Sequence, residues 1–301
     1  MQRAVSETER QYLRLGCEVG IREDGRSPRD HRVVSVELDV LPHLSGSSRI
    51  KIASATEVLC SIKAVVADLS PASPAKGIIE VTADFSPSCN LKLDERRLND
   101  AGSYLAQQLQ RVLTGSLDGT VLPTLCIIPG KFCWCLHVDL LITKLDGDPL
   151  DACSMAIYSA LKTTKIPRVE LVLGPSGQAV DFEVVGSTAS ALAFPAEDVP
   201  ICATFAKLGS TLVVDASSSE HACASAALTA AVSRRGQCCG LFKLRGGGSF
   251  TEGELSTVFH DAQVFIPSLF SAIDAHIGSK GGSLVQSLHR LESQRSGLVP
   301  A

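Results

Sequence analysis

The sequence predicts an α/β (α+β) fold in which mixed sheets pack against helices. Short β-rich apolar runs follow one another between Gly, Pro and Ser clusters, and each series of runs leads into a stretch with apolar residues at helical spacing. With 301 residues, 45% of them hydrophobic, the chain is long enough to bury a substantial core in one domain or two fused halves.

The first series comprises strands over 33–40, 49–52, 58–66 and 78–85, and consecutive hairpins imply a mainly antiparallel or mixed sheet. Residues 68–77, with Pro71 and Pro74, read as a loop or hairpin tip. A helix over 95–113 closes this half, with Leu98, Leu105, Leu109 and Val112 on one stripe. The second series has strands over 125–128 and 133–143, a helix over 151–161, and strands over 179–182, 201–207 and 211–214. Helices over 219–234 and 251–277 complete it, the last expected to kink or break at Pro267. The 201–207 strand is expected to leave a sheet edge or apolar face for a neighbour to cover. The domain boundaries expected are an extension over 1–30, a first part over 31–168, a second over 169–278 and a mobile or partner-ordered tail over 279–301.

Composition narrows the function. A formal net charge of -4 argues against a free-standing protein that coats nucleic acid, so any RNA contact is expected to be local or shared with partners. The opening MQRAVSETERQYLRL is charged and lacks the apolar core of a signal peptide. The longest apolar region, 121–143, is interrupted by Pro123, Pro129, Gly130, Lys131, His137 and Asp139, which argues against a membrane span. The expectation is an intracellular protein whose 11 cysteines, none in a Cys-x-x-Cys pair, are reduced and mostly packed as small apolar groups. His221 with Cys223 is the nearest mixed pair for zinc and lacks the usual partner spacing, so no metal or cofactor is expected.

The most informative stretch is 124–168. The 133–143 run reads as a central strand, and Asp146, Gly147, Asp148 and Pro149 supply turn chemistry. Asp148 or Asp151 caps the Ala-rich helix that follows. A helix N-terminus reached from a strand end is a ready anion site, because its free N–H groups and dipole favour negative charge.

This stretch resembles the core of the RNase PH family, whose active members carry Asp-Gly-Gly-Thr-Arg-Thr-Ala at the turn, the Thr and Arg holding the attacking phosphate. Here the turn reads Asp146-Gly147-Asp148-Pro149-Leu150-Asp151-Ala152. Pro149 and Leu150 thus mark a degenerate phosphate site, having lost a hydroxyl, a backbone N–H and a guanidinium, while Asp148 adds a repelling charge. The family's Asp-Leu-Glu-x-x-x-Asp segment is matched by Asp181-Phe182-Glu183-Val184-Val185-Gly186-Ser187. This degenerate acidic site keeps Asp181 and places Ser187, which cannot act as a carboxylic acid, at the second position.

The resemblance runs from Tyr12 to Ile277 through an ordered set of signatures. They are Arg22-Glu23-Asp24-Gly25-Arg26 with Asp30 and Arg32, then Gly46-Ser47-Ser48-Arg49-Ile50-Lys51-Ile52, then the segment from Val199 to Leu208 with Val213-Val214-Asp215, then Gly247-Gly248-Ser249. Element order and resemblance together imply the RNase PH-type fold of two related β-β-α halves, which is ribosomal protein S5 domain 2-like. The resemblance further implies a non-catalytic subunit of the hexameric ring of the RNA exosome, partnered by other RNase PH-like ring subunits. S1/KH cap subunits and a separate hydrolytic exoribonuclease complete such an assembly, and RNA threads its channel. That role implies 3′–5′ RNA processing and degradation, including rRNA maturation and mRNA decay, in nucleus, nucleolus and cytoplasm. An active phosphorolytic 3′–5′ exoribonuclease and a standalone RNA-binding protein are the alternatives.

Several residues carry further readings. Arg97, Tyr104, Gln108 and Arg111 form a polar helix stripe, either a solvated face or subunit contact or a track for an RNA backbone. Resemblance places Arg111 on the RNA path, with Arg96 and Arg97 as further candidates for RNA binding. Lys243, Arg245 and the run 246–249 read as an anion nest or, more plainly, as a loop capped by Ser249 or Thr251 before the last helix. Asp139 reads as a pairing or turn carboxylate before a catalytic one, Trp134 as core or interface. His43, His137 and His260 have no partner at diagnostic spacing, and no Gly-x-Ser-x-Gly elbow is present.

Overall fold

The structure, a computed structural model of the chain, describes residues 5–69, 75–89, 94–175, 179–185, 191–244 and 246–278. A first sheet is built from β1 (Val34–Leu38), β2 (Gly46–Ile52), β3 (Thr56–Asp68), β4 (Ile78–Phe85), β5 (Cys126–Ile128) and β6 (Phe132–Lys144). Its order is β1-β2-β3-β6-β4, with β5 also pairing β6; β4 runs parallel to β6 and the other pairs are antiparallel. Alternation sets its inner face: Trp134, Leu136, Val138, Leu140 and Ile142 of β6 enter the core, whereas His137, Asp139 and Leu141 point outward.

Helix α2 (Glu95–Leu117) covers β4; of the expected stripe, Leu105 and Leu109 enter the main core, Val112 packs on Cys202 and Ala231 of the second sheet, and Leu98 is only half-buried. Gln110 of α2 accepts from Val81 N–H at 2.8 Å and donates to the Ile79 carbonyl, so its amide pairs with the open edge of β4. Helix α3 (Pro149–Thr163) lies between β2 and β3 on one side and the second sheet on the other. Every residue from Leu150 to Leu161 is buried. Small residues permit the close approach: Ser48 Oγ donates to the Ala156 carbonyl at 2.7 Å, and a Cβ on Gly46 would collide with Thr164.

After α3 come short β7 (Lys165–Ile166), the β8 (Val169–Leu173) and β9 (Ala179–Val184) ribbon, and β10 (Leu192–Ala193), which pairs β7. The second sheet has β11 (Ile201–Leu208), β12 (Thr211–Val214), β13 (Ala226–Val232) and β14 (Cys238–Lys243), in the order β12-β11-β13-β14. Between β12 and β13 lies the short α4 (Ser218–Cys223), and the last helix, α5 (Glu252–Gly278), packs on β11, β13 and β1. One continuous core joins residues of both sheets. No described helix is long and apolar enough to cross a membrane.

The structure departs from the sequence expectations at several elements. Strands β5 and β6, expected to open the second series, instead complete the first sheet, where β6 pairs with both β3 and β4. The expected helix over 219–234 is the brief α4 followed by β13, whose Ala-rich residues are buried on both faces between β11 and β14; pairing on both sides overrides alanine's helix propensity. The 201–207 strand lies between β12 and β13 only over 205–207; its first half is a sheet edge, covered not by a partner chain but by α3, whose Ser154 and Asp151 take the N–H groups of Cys202 and Thr204. Helix α5 continues through Pro267 unbroken, which excludes the break, one of the two outcomes expected there. An unforeseen helix α1 (Glu7–Glu18), in the segment read as an extension, buries Leu13 and Cys17 against Ala206, Leu208 and Val213 of the second sheet. Strand β8 was also unforeseen, and its exposed Leu171, Val172 and Leu173 show why: no alternation separates inner from outer residues. The loop tip at 70–74 and the tail at 279–301 lie outside the described residues.

Candidate functional site

Strand β6 delivers the chain to a turn at Asp146–Asp148, from which α3 begins. Gly147 has φ +98°, and a Cβ there would run into the Ala216 carbonyl, so glycine is required. Asp146 is tied on all sides. Its Oδ1 accepts from Ser218 N–H at 2.9 Å and its Oδ2 from Arg32 Nη1 at 2.7 Å, while Thr56 Oγ1 bridges its own N–H and carbonyl.

The N-terminus of α3 is occupied by the chain itself. Asp148, the cap residue, accepts the Leu150 N–H at 2.8 Å, and Pro149 in the first helical position has no N–H to offer. The Leu150 side chain, 2% exposed, is in the core rather than in a pocket. Asp151 turns to β11, where it accepts from Thr204 N–H at 2.9 Å and Thr204 Oγ1 at 2.8 Å. Of the two cap candidates, Asp148 thus holds the role, and Asp151 completes the sheet. Burial pushes the Asp148 carboxyl up against the opposing pull of His221, whose Nε2 is 3.7 Å away. Burial, then the neighbouring Asp148 charge, raise Asp151 well above the usual carboxylate range despite the Thr204 bonds. A terminus so filled and so acidic disfavours a further anion.

The basic residues near the turn are equally committed. Arg32 makes a bidentate pair with Asp215, at 2.8 Å from Nε and 2.6 Å from Nη2, and spends Nη1 on Asp146. Arg26 Nη1 reaches Asp215 at 3.1 Å. Arg22, fully buried, pairs with Glu220 through Nε at 2.8 Å and donates to the carbonyls of Asp30, Val214 and Asp215. Burial alone would raise Asp215, but His31 and Arg32 together hold its carboxyl down to about 2. Arg22, Arg26, Arg32 and Asp215 figured in the sequence only as signatures; their convergence joins segments too far apart for spacing to disclose.

The other singled-out residues divide clearly. Arg96, Arg97 and Arg111 are exposed along α2, and among the described residues none makes an ion pair; Tyr104, on the same stripe, is also exposed. Asp181 is exposed on β9, where its carboxylate accepts the adjacent Phe182 N–H at 2.8 Å; no hydrogen bond or ion pair among the described residues joins it to the turn. Ser187 and Arg245 lie outside the described residues. Thr251 rather than Ser249 caps α5, exchanging bonds with Glu254. Asp139 accepts from Thr82 Oγ1 at 2.6 Å across the sheet, and Trp134 is core. His221 faces Asp148 whereas Cys223 packs under α1, so these two do not form a metal site. His137 does have a partner, Glu80, at 3.1 Å across β4 and β6.

The family model described as 3′ exoribonuclease family, domain 1, matches residues 30–167, and that for domain 2 matches residues 198–263. The "Putative exosome complex exonuclease RRP42" of Dictyostelium discoideum is 27% identical, over 79% of this chain and 87% of its own length. The "Exosome complex component Rrp42" of Sulfurisphaera tokodaii is 30% identical, over 82% of this chain and 86% of its own. Among solved structures, the Archaeoglobus fulgidus exosome with RNA bound to the active site superposes with a TM-score of 0.74 at 22% identity, covering 87% of this chain and 96% of that one. This likeness shows the fold: the mixed RNase PH architecture expected from the sequence.

Proposed function

The chain belongs to the 3′ exoribonuclease family built on RNase PH domains, and on that premise we propose that it is a non-catalytic subunit of an exosome ring. It supplies architecture and part of an RNA path for 3′–5′ processing and decay, as resemblance to the Rrp42 components supports. The observation that carries the absence of catalysis is the Asp148 carboxylate on the Leu150 N–H. The helix end that would bind attacking phosphate already holds a negative group, and no uncommitted arginine is described beside it. Loss of such preorganised donors removes several kcal/mol of transition-state stabilisation.

RNA guidance falls to α2, whose Arg96, Arg97 and Arg111 are free to meet phosphates, with Tyr104 available for stacking. The partners are other RNase PH-like subunits, S1/KH caps and a hydrolytic exoribonuclease, in nucleus, nucleolus and cytoplasm. Incubating the purified chain with single-stranded RNA and phosphate, and weighing the native complex recovered with it, tests this reading. No nucleoside diphosphate and a multi-subunit mass are expected. Diphosphate release abolished by Asp181→Ala would establish a phosphorolytic enzyme instead, and tight, salt-sensitive RNA binding by a functional monomer would establish a standalone binder.

A further inference from the structure

Among the described residues, one cluster outside the turn has the donor chemistry of a metal centre. Strand β4 runs parallel to β6 in a register that sets Ile78 against Cys135 and Glu80 against His137. Cys135 and His137, two residues apart, share one face of β6, and Glu80 projects from the same face of β4. A carboxylate oxygen, the Cys135 sulfur and a His137 ring nitrogen all lie within 4.8 Å of one another, and Glu80 Oε2 is 3.1 Å from His137 Nδ1. Around a tetrahedral zinc, with bonds of about 2.0 to 2.3 Å, neighbouring donor atoms stand roughly 3.3 to 3.7 Å apart. Small side-chain rotations close that difference.

We propose that Glu80, Cys135 and His137 form a zinc-binding site on the outer face of the first sheet, with water in the fourth position. The donor set selects the metal: thiolate and imidazole favour Zn²⁺ over Mg²⁺ or Ca²⁺, which take all-oxygen shells. A plain Glu80–His137 ion pair at this half-exposed position contributes little and gives no role to Cys135, whose thiol has no hydrogen bond among the described residues. As the Zn–S bond forms, the S–H bond breaks and its proton passes to solvent. The ion clasps β4 to β6, the only parallel pair among the described strands, and does so independently of the ring reading.

The test uses the full chain stripped with chelator and titrated with Co²⁺, then Zn²⁺. Expected are one equivalent of Co²⁺ bound with a thiolate-to-cobalt charge-transfer band, displacement by Zn²⁺, and a higher melting temperature with Zn²⁺. His137→Ala and Glu80→Gln, both at accessible positions, should weaken Co²⁺ binding about tenfold or more while keeping the unliganded melt. A Cys238→Ser/Cys239→Ser variant, which removes the exposed Cys238 thiol and its partly buried neighbour on β14, should retain the band. Absence of the band, its persistence at full affinity in His137→Ala, or its loss in the Cys238/Cys239 variant would each overturn the proposal.

Discussion

The Asp148 carboxylate accepts the Leu150 N–H at 2.8 Å, closing the first turn of the helix packed between β2 and β3 of the first sheet and β11 of the second. One side chain therefore both caps the helix and takes up a backbone donor that, on the proposed non-catalytic reading, a bound phosphate would need.

Removing that cap has a predictable cost. Asp148→Ala should destabilise the chain by about 1 kcal/mol, whereas Asp148→Asn, which caps equally well, should not. Because the folded Asp148 carboxyl is raised above its unfolded value, the native state holds its proton longer, and wild-type stability falls as pH rises from the unfolded pKa to the folded one. Asp148→Asn should gain on wild type across that window and then level off. Urea unfolding at a series of pH values checks this; a constant difference would contradict it.

Asp215 has the opposite sign. Its folded pKa of about 2 lies below the ordinary 3.8, so its contribution is complete above the unfolded value and disappears as pH falls through the folded one. The shift corresponds to about 2 kcal/mol at neutral pH. Asp215→Asn should lose at least that much at pH 7, since it also strands Arg32, and the gap to wild type should narrow between about pH 4 and pH 2. Denaturant midpoints across this range provide the measurement.

Gly147→Ala should be costly for a backbone reason. A methyl group at φ +98° is strained and meets the Ala216 carbonyl, so a loss of more than ~1 kcal/mol is expected, with reduced assembly as a consequence. Thermal melts of the two proteins, together with native mass spectra, would reveal it.

Restoring the active-type arginine does not restore a site. Leu150→Arg would force a guanidinium into a position 2% exposed, and a loss of roughly 3 kcal/mol or more is expected without any gain of phosphate binding. Calorimetric titration with phosphate alongside a denaturant melt decides it.

For the RNA path, Arg111→Glu within the assembled ring should shorten the RNA segment protected from nuclease without changing the native mass. The exposed Arg111 makes no ion pair among the described residues, so its reversal should leave the fold intact. Unchanged protection would remove α2 from the path.

Much of the fold was legible because its cause is local. The stripe of α2, the apolar run of β6, a cap at Asp148 or Asp151 and the β4 strand follow from the spacing of a few neighbouring residues. The residues on which the proposed loss of phosphate binding rests were legible for the same reason, since Pro149 has no N–H and Leu150 no charge in any fold. Ala226–Val232 misled because its residues favour a helix when considered alone, and only pairing with β11 and β14 makes it a strand.

Residue chemistry along the chain determined the strands of the first sheet, helices α2 and α3, the family pattern and the presence of Pro149 and Leu150 at the turn. Tertiary structure alone decided that Arg22, Arg26 and Arg32 converge around Asp215 and Glu220, that Asp151 completes the edge of β11, and that Glu80 meets Cys135 and His137. Those arrangements depend on which distant segments the common core brings together, and no periodicity within one segment encodes the position of another.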